Sequence, residues 1–437
     1  MHRAIVALVT LALPACAGTG KSPGTLDKVF DRLSIDGWPS NESHIRWDVR
    51  VSRPLLDHYL RLRTRVRIRI DGAEIFKRQG QGNLLFLAQF RDSSGALYQN
   101  HQSFSLDQID RGAYSNFVVC RFDVFVTPGD YQVSAGLLIS STGEHAVVHS
   151  HIHVSPLAGD PLHGAWRDIP PVEFLASEDP PEDWYLPLII GRLNLPVATE
   201  RPIHVELLIN QSPTEQVKGA RRGTFTRSNM AVLIPAMKVL SQVKWKNGSF
   251  NVSMLDLERR RVSFRQDGVA ELDWTALHDA LNRIDPFQID TTSLQNREQD
   301  AQFFLSQIRS RLAQAEESKA FYVLIVLSGP MKFAKGEDLS PLESTEHPHS
   351  RIFYIRCYSL KESTPFGLGP SKTALSSRSL SGPSGARELL WVQAPPPLMS
   401  DSLVRLVQPA GPRLFDVTTP LEFRKALAVI LREFSRY

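Results

Sequence analysis

Residues 321–327 most constrain the fold, because nearly every one of them is apolar. A strand with so little polar character must be covered on both faces, as the central strands of parallel sheets are. Strand-like and helix-like segments alternate around it over residues 202–437, which predicts a doubly wound α/β layer. The predicted strands are 203–209, 250–257, 261–265, 351–358 and 414–417, and the predicted helices are 229–243, 274–284, 296–315, 401–407 and one that opens with a capping box at Thr419 and Glu422.

Residues 36–155 have a different sequence pattern, which consists of short segments of alternating apolar and polar residues without a helical period. Turn sequences at 92–95 and 141–143 separate several of these segments. This pattern predicts an all-β domain of the immunoglobulin-like sandwich type. Its strands are expected at 45–51, 60–70, 84–90, 117–126, 131–139 and 146–154.

Length and composition agree with two folded domains. A chain of 437 residues exceeds what one hydrophobic core usually organises. Prolines crowd residues 156–201, which indicates a stiff linker, and residues 360–413 are an irregular insertion rich in serine, proline and glycine. The formal net charge of +4 is mild for this length and does not indicate a nucleic-acid partner.

The N-terminal residues 1–17 have the pattern of a signal peptide. His2 and Arg3 precede an apolar run at 4–13, which is too short to span a bilayer core of about 30 Å as a helix. Residues 13–16 resemble a bacterial lipobox, which predicts lipidation of Cys16; cleavage near Ala15 or Ala17 without lipidation is the alternative. The protein is therefore expected to be exported, either to the cell envelope as a periplasmic or outer-membrane lipoprotein or as a secreted protein. A lipid anchor would be its only contact with the membrane.

Residues 15–22 also fit a relaxed phosphate-loop pattern, but Pro23 and Gly24 would disrupt the helix that such a loop requires. We therefore predict no nucleotide and no other cofactor. The remaining cysteines, Cys120 and Cys357, lie in apolar runs of different predicted domains, which favours buried free thiols over a disulfide bond.

A stripe of arginines occupies one face of the predicted strand 60–70. Alternation places apolar residues on the opposite face, and residues on one face lie about 6.6 Å apart. Like charges at that spacing in water repel weakly, so a solvated face balanced by acidic residues is the favoured interpretation. Docking to an acidic surface, such as another envelope protein or anionic lipid head groups, is the alternative. The stripe consists of Arg61, Arg63, Arg65, Arg67 and Arg69.

A second stripe places His145 before His149, His151 and His153, all of one parity. Alternate histidines on a strand can bind zinc in pairs, so His149 with His151, or His151 with His153, is a candidate site that needs further ligands. The three cannot all reach one ion, because the outer two lie about 13 Å apart along a strand. Exposed histidines on a sheet face are the favoured interpretation.

The predicted strand 203–209 runs directly into Asn210-Gln-Ser212-Pro-Thr214, and a helical segment follows. Together with residues 289–293 (Ile-Asp-Thr-Thr-Ser) and 326–329 (Val-Leu-Ser-Gly), this order resembles the von Willebrand factor A-like domain family, in particular secreted bacterial proteins related to it. The resemblance covers residues 202–437. It implies a metal-ion-dependent adhesion site at Asn210, Ser212 and Thr214, then Thr291 or Thr292, then Ser328.

Both aspartates that the family places in this site are absent here. Magnesium relies on carboxylate charge to offset its dehydration, so an amide and hydroxyls predict a degenerate site without a metal. Asp290 lies close enough in sequence to Thr291 to be considered as a substitute, but hydroxyls that bond loop amides are the favoured interpretation.

The resemblance implies a non-enzymatic protein that binds another protein, itself from the envelope or secreted. A periplasmic zinc binder that uses His149, His151 and His153, or an enzyme of an unrecognised class, are the alternatives. The sequence contains neither a GxSxG nor an HExxH motif, which excludes only familiar hydrolases.

Overall fold

A computed structural model describes residues 45–107, 109, 112, 114–175, 191–212, 230, 233–282, 298–317, 320–331, 342, 349–358 and 401–436. Most of the described secondary structure is β-strand, with a smaller helical content. The chain divides into two compact units within the proline-rich segment 156–201. Unit 1 comprises Met1–Asp160, Trp166–Glu178 and Ile189–Arg192, and unit 2 comprises Pro161–Ala165, Asp179–Leu188 and Leu193–Tyr437.

Unit 1 contains two antiparallel sheets that share one apolar core. Sheet A has the strand order β1-β3-β6-β9, with β2 also paired to β3, and sheet B has the order β5-β4-β7-β8. Val66, Phe86 and Phe122 are among the inward side chains that form the core. The elements are β1 (Trp47–Val51), β2 (Leu55–Leu56), β3 (Leu62–Asp71), α1 (Gly72–Phe76), β4 (Asn83–Asp92), β5 (Leu97–Ser105), β6 (Phe117–Val126), β7 (Gly129–Ile139), β8 (His145–Val154) and β9 (Val172–Phe174).

Strand β3 begins at Leu62 and not at Leu60, where its alternating pattern starts. Leu60 has a φ of 57°, in the left-handed region that side chains other than glycine rarely adopt. Its amide donates to the carbonyl of Asp57 at 2.9 Å, so a tight turn holds this conformation. The turn places Leu60 and Arg61 ahead of the strand, and the regular alternation begins only after them.

Three elements of unit 1 have no clear sequence pattern. Strand β5 is polar on both of its faces, so it lacks the alternation that marks a half-buried strand. Strand β9 lies in the predicted linker and joins sheet A at its edge, beside β6, where neighbouring prolines are tolerated. Helix α1 is a single turn whose N-cap, Asp71, accepts from the amide of Ala73.

Unit 2 centres on a six-stranded sheet with the order β14-β13-β11-β15-β16-β17. All of its strands are parallel except β14, which is antiparallel to β13. A separate parallel pair joins β10 and β12. The strands are β10 (Leu195–Val197), β11 (Ile203–Asn210), β12 (Val243–Trp245), β13 (Gly248–Asp256), β14 (Arg261–Gln266), β15 (Phe321–Ser328), β16 (Ser350–Cys357) and β17 (Arg413–Val417).

Helices cover both faces of this sheet. Tyr354 packs on one face in a core cluster with Phe304 and Ile308. Phe353, its neighbour, must point to the opposite face, and its ring meets that of Phe434 at 5.9 Å between centroids. Residues 233–240 are also helical. The remaining helices are α2 (Trp274–Asn282), α3 (Glu298–Glu317), α4 (Ser402–Val407) and α5 (Pro420–Phe434), with a 3-10 turn at Gln408–Ala410.

Local signals fix several of these elements as the sequence predicts. Thr419 and Glu422 form the expected capping box at the start of α5. All eight residues of β15, including 321–327, are buried, as expected for a strand covered on both faces. Among the described helices, none combines the length and the apolar composition that a bilayer-spanning helix requires.

Candidate functional site

The carboxyl ends of β11 and β15 form the point where the chain direction across the unit 2 sheet reverses. Successive strands after β11 are added on one side, at β13 and β14, and later strands on the other side, starting with β15. In open sheets of this kind, ligands bind in the crevice outside the carboxyl ends at this switch point. Asn210 ends β11 and Ser328 ends β15, so two predicted site residues lie there.

Asn210, Ser212 and Ser328 form one hydrogen-bonded group in which every side chain is buried. The amide Nδ2 of Asn210 donates to the Oγ of Ser328 at 3.1 Å, and its Oδ1 accepts from the backbone amide of Ser212 at 3.0 Å. The Ser328 hydroxyl in turn donates to the carbonyl of Gly329 at 2.7 Å. The structure thus brings together three of the five residues of the predicted adhesion site.

The loop that follows β11 is fixed by two further bonds. The Oγ of Ser212 accepts from the amide of Leu257 at 2.8 Å, and the Oε1 of Gln211 accepts from the hydroxyl of Ser263 at 2.9 Å. These contacts tie the loop to the residue that follows β13 and to β14. Thr214, Thr291 and Thr292 lie outside the described residues.

Two carboxylates on other strands of this sheet are each engaged by arginine. Asp256, at the end of β13, accepts from Arg259 at 3.0 Å. Asp416, on β17, accepts from Arg356 at 2.7 Å. Within the described part of the chain, no three histidine, cysteine, aspartate or glutamate side chains are grouped so that they could hold a metal ion.

A buried polar cluster that the sequence did not indicate lies beside Ser328. The Tyr354 hydroxyl, on β16, donates to Asp401 at 3.0 Å and lies 3.2 Å from the carbonyl of Gly329. Arg356 lies 3.5 Å from the same carboxylate. Burial raises the pKa of the Asp401 carboxyl, although the bond from Tyr354 and the charge of Arg356 oppose that change.

The cluster has a structural role that can be stated from its bonds. Asp401, which the sequence analysis takes as the first residue of the helix 401–407, is instead the N-cap of α4 and accepts from the amide of Leu403. Tyr354 and Arg356 belong to a mostly apolar strand. Its sequence pattern gives no indication that these two side chains have a buried polar partner. Pairing between distant segments created the cluster, and such pairing cannot be inferred from spacing in one sequence.

The arginine stripe of unit 1 is not a uniformly solvated face, contrary to the favoured interpretation of the sequence. Arg61 is only 1% exposed and forms an ion pair with Glu173, while its guanidinium lies 4.6 Å from the ring centre of Phe125. Arg63, 7% exposed, bonds Asp57 and Asp123. The turn at Leu60 and the addition of β9 enclose this end of the stripe, which alternation alone does not reveal.

The rest of the stripe is partly exposed. Arg65 bonds Asp123 with two nitrogens, at 2.8 and 3.0 Å, which is the acidic balance that the sequence analysis expected. Arg67 is opposite other arginines, and Arg69 places its guanidinium 4.1 Å from the ring centre of Phe117.

The histidine stripe lies on β8, where His149 and His153 have different partners. His149 bonds the hydroxyl of Ser134 at 2.8 Å, and His153 bonds the carboxylate of Asp130 at 2.7 Å. His151 and His153 line an open groove of about 400 Å³ together with Arg91. No zinc-binding group forms around His149, His151 or His153 from the side chains that the structure describes.

Both described cysteines are free and buried, as predicted. Burial raises the pKa of the Cys120 thiol and of the Cys357 thiol to about 12. Such thiols are neutral at physiological pH, so neither is suited to act as a nucleophile. Cys16, the predicted lipidation site, lies outside the described residues.

Comparison with known proteins does not identify a family for this chain. No family model matches the chain, and no curated protein matches it. One solved structure, titled "X-ray structure of Northeast Structural Genomics Consortium target SoR45", is 14% identical over 27% of this chain and 91% of its own. Its TM-score of 0.17 is too low to support a conclusion on fold or function.

Proposed function

We propose that the protein is an exported, non-enzymatic binding protein that holds another protein at the carboxyl edge of the unit 2 sheet. In this proposal unit 2 is a von Willebrand factor A-like domain with a degenerate metal-ion-dependent adhesion site. The observation that carries the proposal is the side chain of Asn210, which joins Ser328 and Ser212 by hydrogen bonds where the family would place a carboxylate and its ion.

Strand order supports the assignment of unit 2. Numbered within the sheet, its strands follow the order 3-2-1-4-5-6, which is the order of a doubly wound sheet. Unit 1 is proposed to be an immunoglobulin-like sandwich. Its support is a pair of antiparallel sheets and the hydroxyl of Tyr131, near the start of β7, which donates back to the carbonyl of Thr127 at 2.9 Å.

The chemistry of Asn210, Ser212 and Ser328 at the carboxyl edge favours binding without a metal. Magnesium sheds its water reluctantly and needs anionic oxygen in compensation, whereas Asn210 and Ser328 supply only dipoles. Those dipoles already bond each other and the backbone, so an incoming ion would have to break bonds without gaining charge neutralisation. These internal bonds therefore join the ends of β11 and β15 beneath the surface that a partner would meet.

Among the described residues near this edge, an exposed basic side chain lies at the start of β14. Strand β14 begins with Arg261, whose side chain is half exposed and lies 3.7 Å from the Asp256 carboxylate, and with Val262, which is also exposed. Arg261 is paired in register with Asp256 at the carboxyl end of β13. A protein partner with an acidic contact segment would suit this end of β14.

The test is capture of partners from an envelope extract by the full chain, with and without a chelator. We expect the same protein to be captured in both conditions. Arg261→Glu should abolish capture, because it reverses the charge at the carboxyl edge. Arg265→Glu is the matched control on the same strand, further from that edge, and should leave capture unchanged.

Metal binding is tested separately by thermal unfolding in magnesium. The unmodified protein should show no shift in Tm, whereas Asn210→Asp, which supplies the missing carboxylate, should be less stable without magnesium and regain stability with it. Capture that disappears on chelation, or a magnesium-dependent Tm of the unmodified protein, would contradict the proposal.

A further inference from the structure

Three arginines lie directly opposite one another across the outer face of sheet A. Arg50 on β1 is paired in register with Arg67 on β3, and Arg67 is paired with Arg121 on β6. Opposed residues of antiparallel strands have Cβ atoms about 5 Å apart, and like charges so placed destabilise a sheet. The row therefore concentrates positive charge at a cost to the stability of unit 1.

Carboxylates on this face do not neutralise the middle and far end of the row. Asp48 bonds Arg50 at 2.9 Å, and Asp123 bonds Arg63 and Arg65. Among the residues that the structure describes, no carboxylate forms an ion pair with Arg67 or Arg121. The positive charge left over lies on β3 and β6.

Exposed apolar side chains share this face. Alternation along β6 places Phe117 and Val119 on the same side as Arg121, and they are 55% and 40% exposed. The Phe117 ring also lies against the Arg69 guanidinium, 4.1 Å from its carbon to the ring centre. Phe117, opposite Asp71 at one end of this arginine-rich face, thus presents an aromatic ring to solvent.

We propose that this outer face of sheet A docks on the anionic phosphate headgroups of a lipid bilayer. Guanidinium groups pair with phosphate oxygens through two parallel hydrogen bonds, and basic clusters gain affinity from the negative potential of an anionic membrane surface. Phe117 would insert at the boundary between headgroups and acyl chains, where apolar side chains of peripheral proteins are buried. A soluble polyanion would need the arginines but not an exposed ring, so the ring favours the bilayer.

The proposal concerns unit 1 and is independent of the function proposed for the carboxyl edge of the unit 2 sheet. Its test is binding of the full chain to vesicles of phosphatidylglycerol and phosphatidylcholine, with vesicles of phosphatidylcholine alone for comparison. All proteins carry Cys16→Ser, so that no acyl chain contributes. We expect binding only to the anionic vesicles, and weaker binding as salt is added.

Arg67→Gln with Arg121→Gln should reduce the partition coefficient about 30-fold, since each basic residue near an anionic surface contributes about fivefold. Arg265→Gln with Arg436→Gln removes the same charge from unit 2 and should leave vesicle binding within about twofold. Phe117→Ala should weaken binding roughly tenfold, and Phe117→Leu should restore most of it.

Three results would overturn the proposal. The first is an absence of binding to anionic vesicles, and the second is binding that the Arg67/Arg121 pair of substitutions leaves unchanged. The third is binding of inorganic polyphosphate that depends on these arginines, together with vesicle binding that Phe117→Ala leaves unchanged, because that pattern identifies a soluble polyanion as the ligand. A cooperative thermal transition confirms that each variant folds, and the Tm of the Arg67/Arg121 variant should be no lower than that of the unmodified protein.

Discussion

Asn210 illustrates what one side chain does for the geometry of a loop. Its amide both donates and accepts, so it joins Ser328 on one strand to the backbone of Ser212 on the loop that follows. An aspartate could accept these contacts but could not donate to a hydroxyl, and its charge would be buried without a cation. Burying an unpaired charge costs far more than burying an amide with two partners.

Gly248 is required where β13 passes β11. A Cβ atom at this position would lie 2.5 Å from the Cγ2 of Ile203 and 2.7 Å from its carbonyl oxygen. Because the second contact is with backbone, Gly248→Ala must move one of the strands. We expect it to lower the free energy of unfolding by roughly 1–3 kcal/mol, measured by urea denaturation.

Gly164→Ala is the control for that prediction. A Cβ atom added at Gly164 would have no atom within 4 Å, and the backbone φ of Gly164 is not positive. Its substitution should change the free energy of unfolding by less than about 0.5 kcal/mol. Equal effects of the two substitutions would show that close packing at Gly248 does not limit stability.

At the scale of elements, the pairing of β3 with β6 depends on how charges match in register. Asp123 is directly opposite Arg65 and also reaches Arg63. Burial alone would raise the pKa of Asp123, but hydrogen bonds from Arg65 and Arg63 outweigh it and hold the pKa below its ordinary value. A carboxyl whose pKa is lower in the folded state stabilises that state only while it is ionised.

Asp123→Asn should therefore lower the stability of unit 1 at neutral pH by roughly 1–3 kcal/mol. The stabilisation from Asp123 is fully present above the unfolded pKa of about 3.9, and it is lost as the pH falls through the lower folded pKa. The difference between variant and unmodified protein should shrink in that acid range, as measured by urea denaturation at a series of pH values.

Asp48→Asn serves as the comparison, because Asp48 forms a more exposed pair with Arg50. Such pairs contribute little, so we expect a change below about 1 kcal/mol at neutral pH. If Asp123→Asn lowered the free energy of unfolding equally at every pH, the loss would come from the poor fit of the asparagine amide. It would then not come from the missing charge.

The sequence pattern predicts the strands and helices of this protein better than it predicts which of them contact one another. The strands 117–126 and 203–209 were expected within one residue of β6 and β11, because buried β-branched and aromatic runs bounded by turns are distinctive. Strand β5 was missed because its side chains are polar on both faces. The contact between Asn210 and Ser328, which are 118 positions apart, follows from sheet order and not from local pattern.

The candidate site was predicted to the same limited extent. Residue types at 210, 212 and 328 indicated the loss of a metal site, and the structure places those side chains together. The neighbouring cluster of Tyr354, Arg356 and Asp401 was missed. Each of its members belongs to a different local context, and the bonds between them arise only when the sheet and α4 assemble.

At the scale of the whole molecule, the two units bury one described cysteine each. Cys120 lies in the core of unit 1, and Cys357 ends β16 in unit 2. Both are free, although export would expose the protein to an oxidising environment where disulfides form. Burial, and not pairing, keeps these thiols unreactive.

We therefore expect a Cys16→Ser protein to react with a thiol reagent only slowly in its native state and at two sites per chain in urea. Reducing agent should leave its Tm unchanged, because no bond between cysteines contributes to stability. Cys120→Ala and Cys357→Ala should each remove one of the two urea-dependent sites. Rapid labelling of either cysteine in the native protein would contradict the burial described for it.

The ion pair between Arg61 and Glu173 joins residues 112 positions apart. Arg61 therefore remains hydrated until the chain has closed a loop of that length and β9 has reached the edge of sheet A. Such distant contacts form slowly, since the entropy of closing the loop is lost before the contact is gained. During synthesis, unit 1 cannot complete its fold until the ribosome has already begun the segment that leads into unit 2.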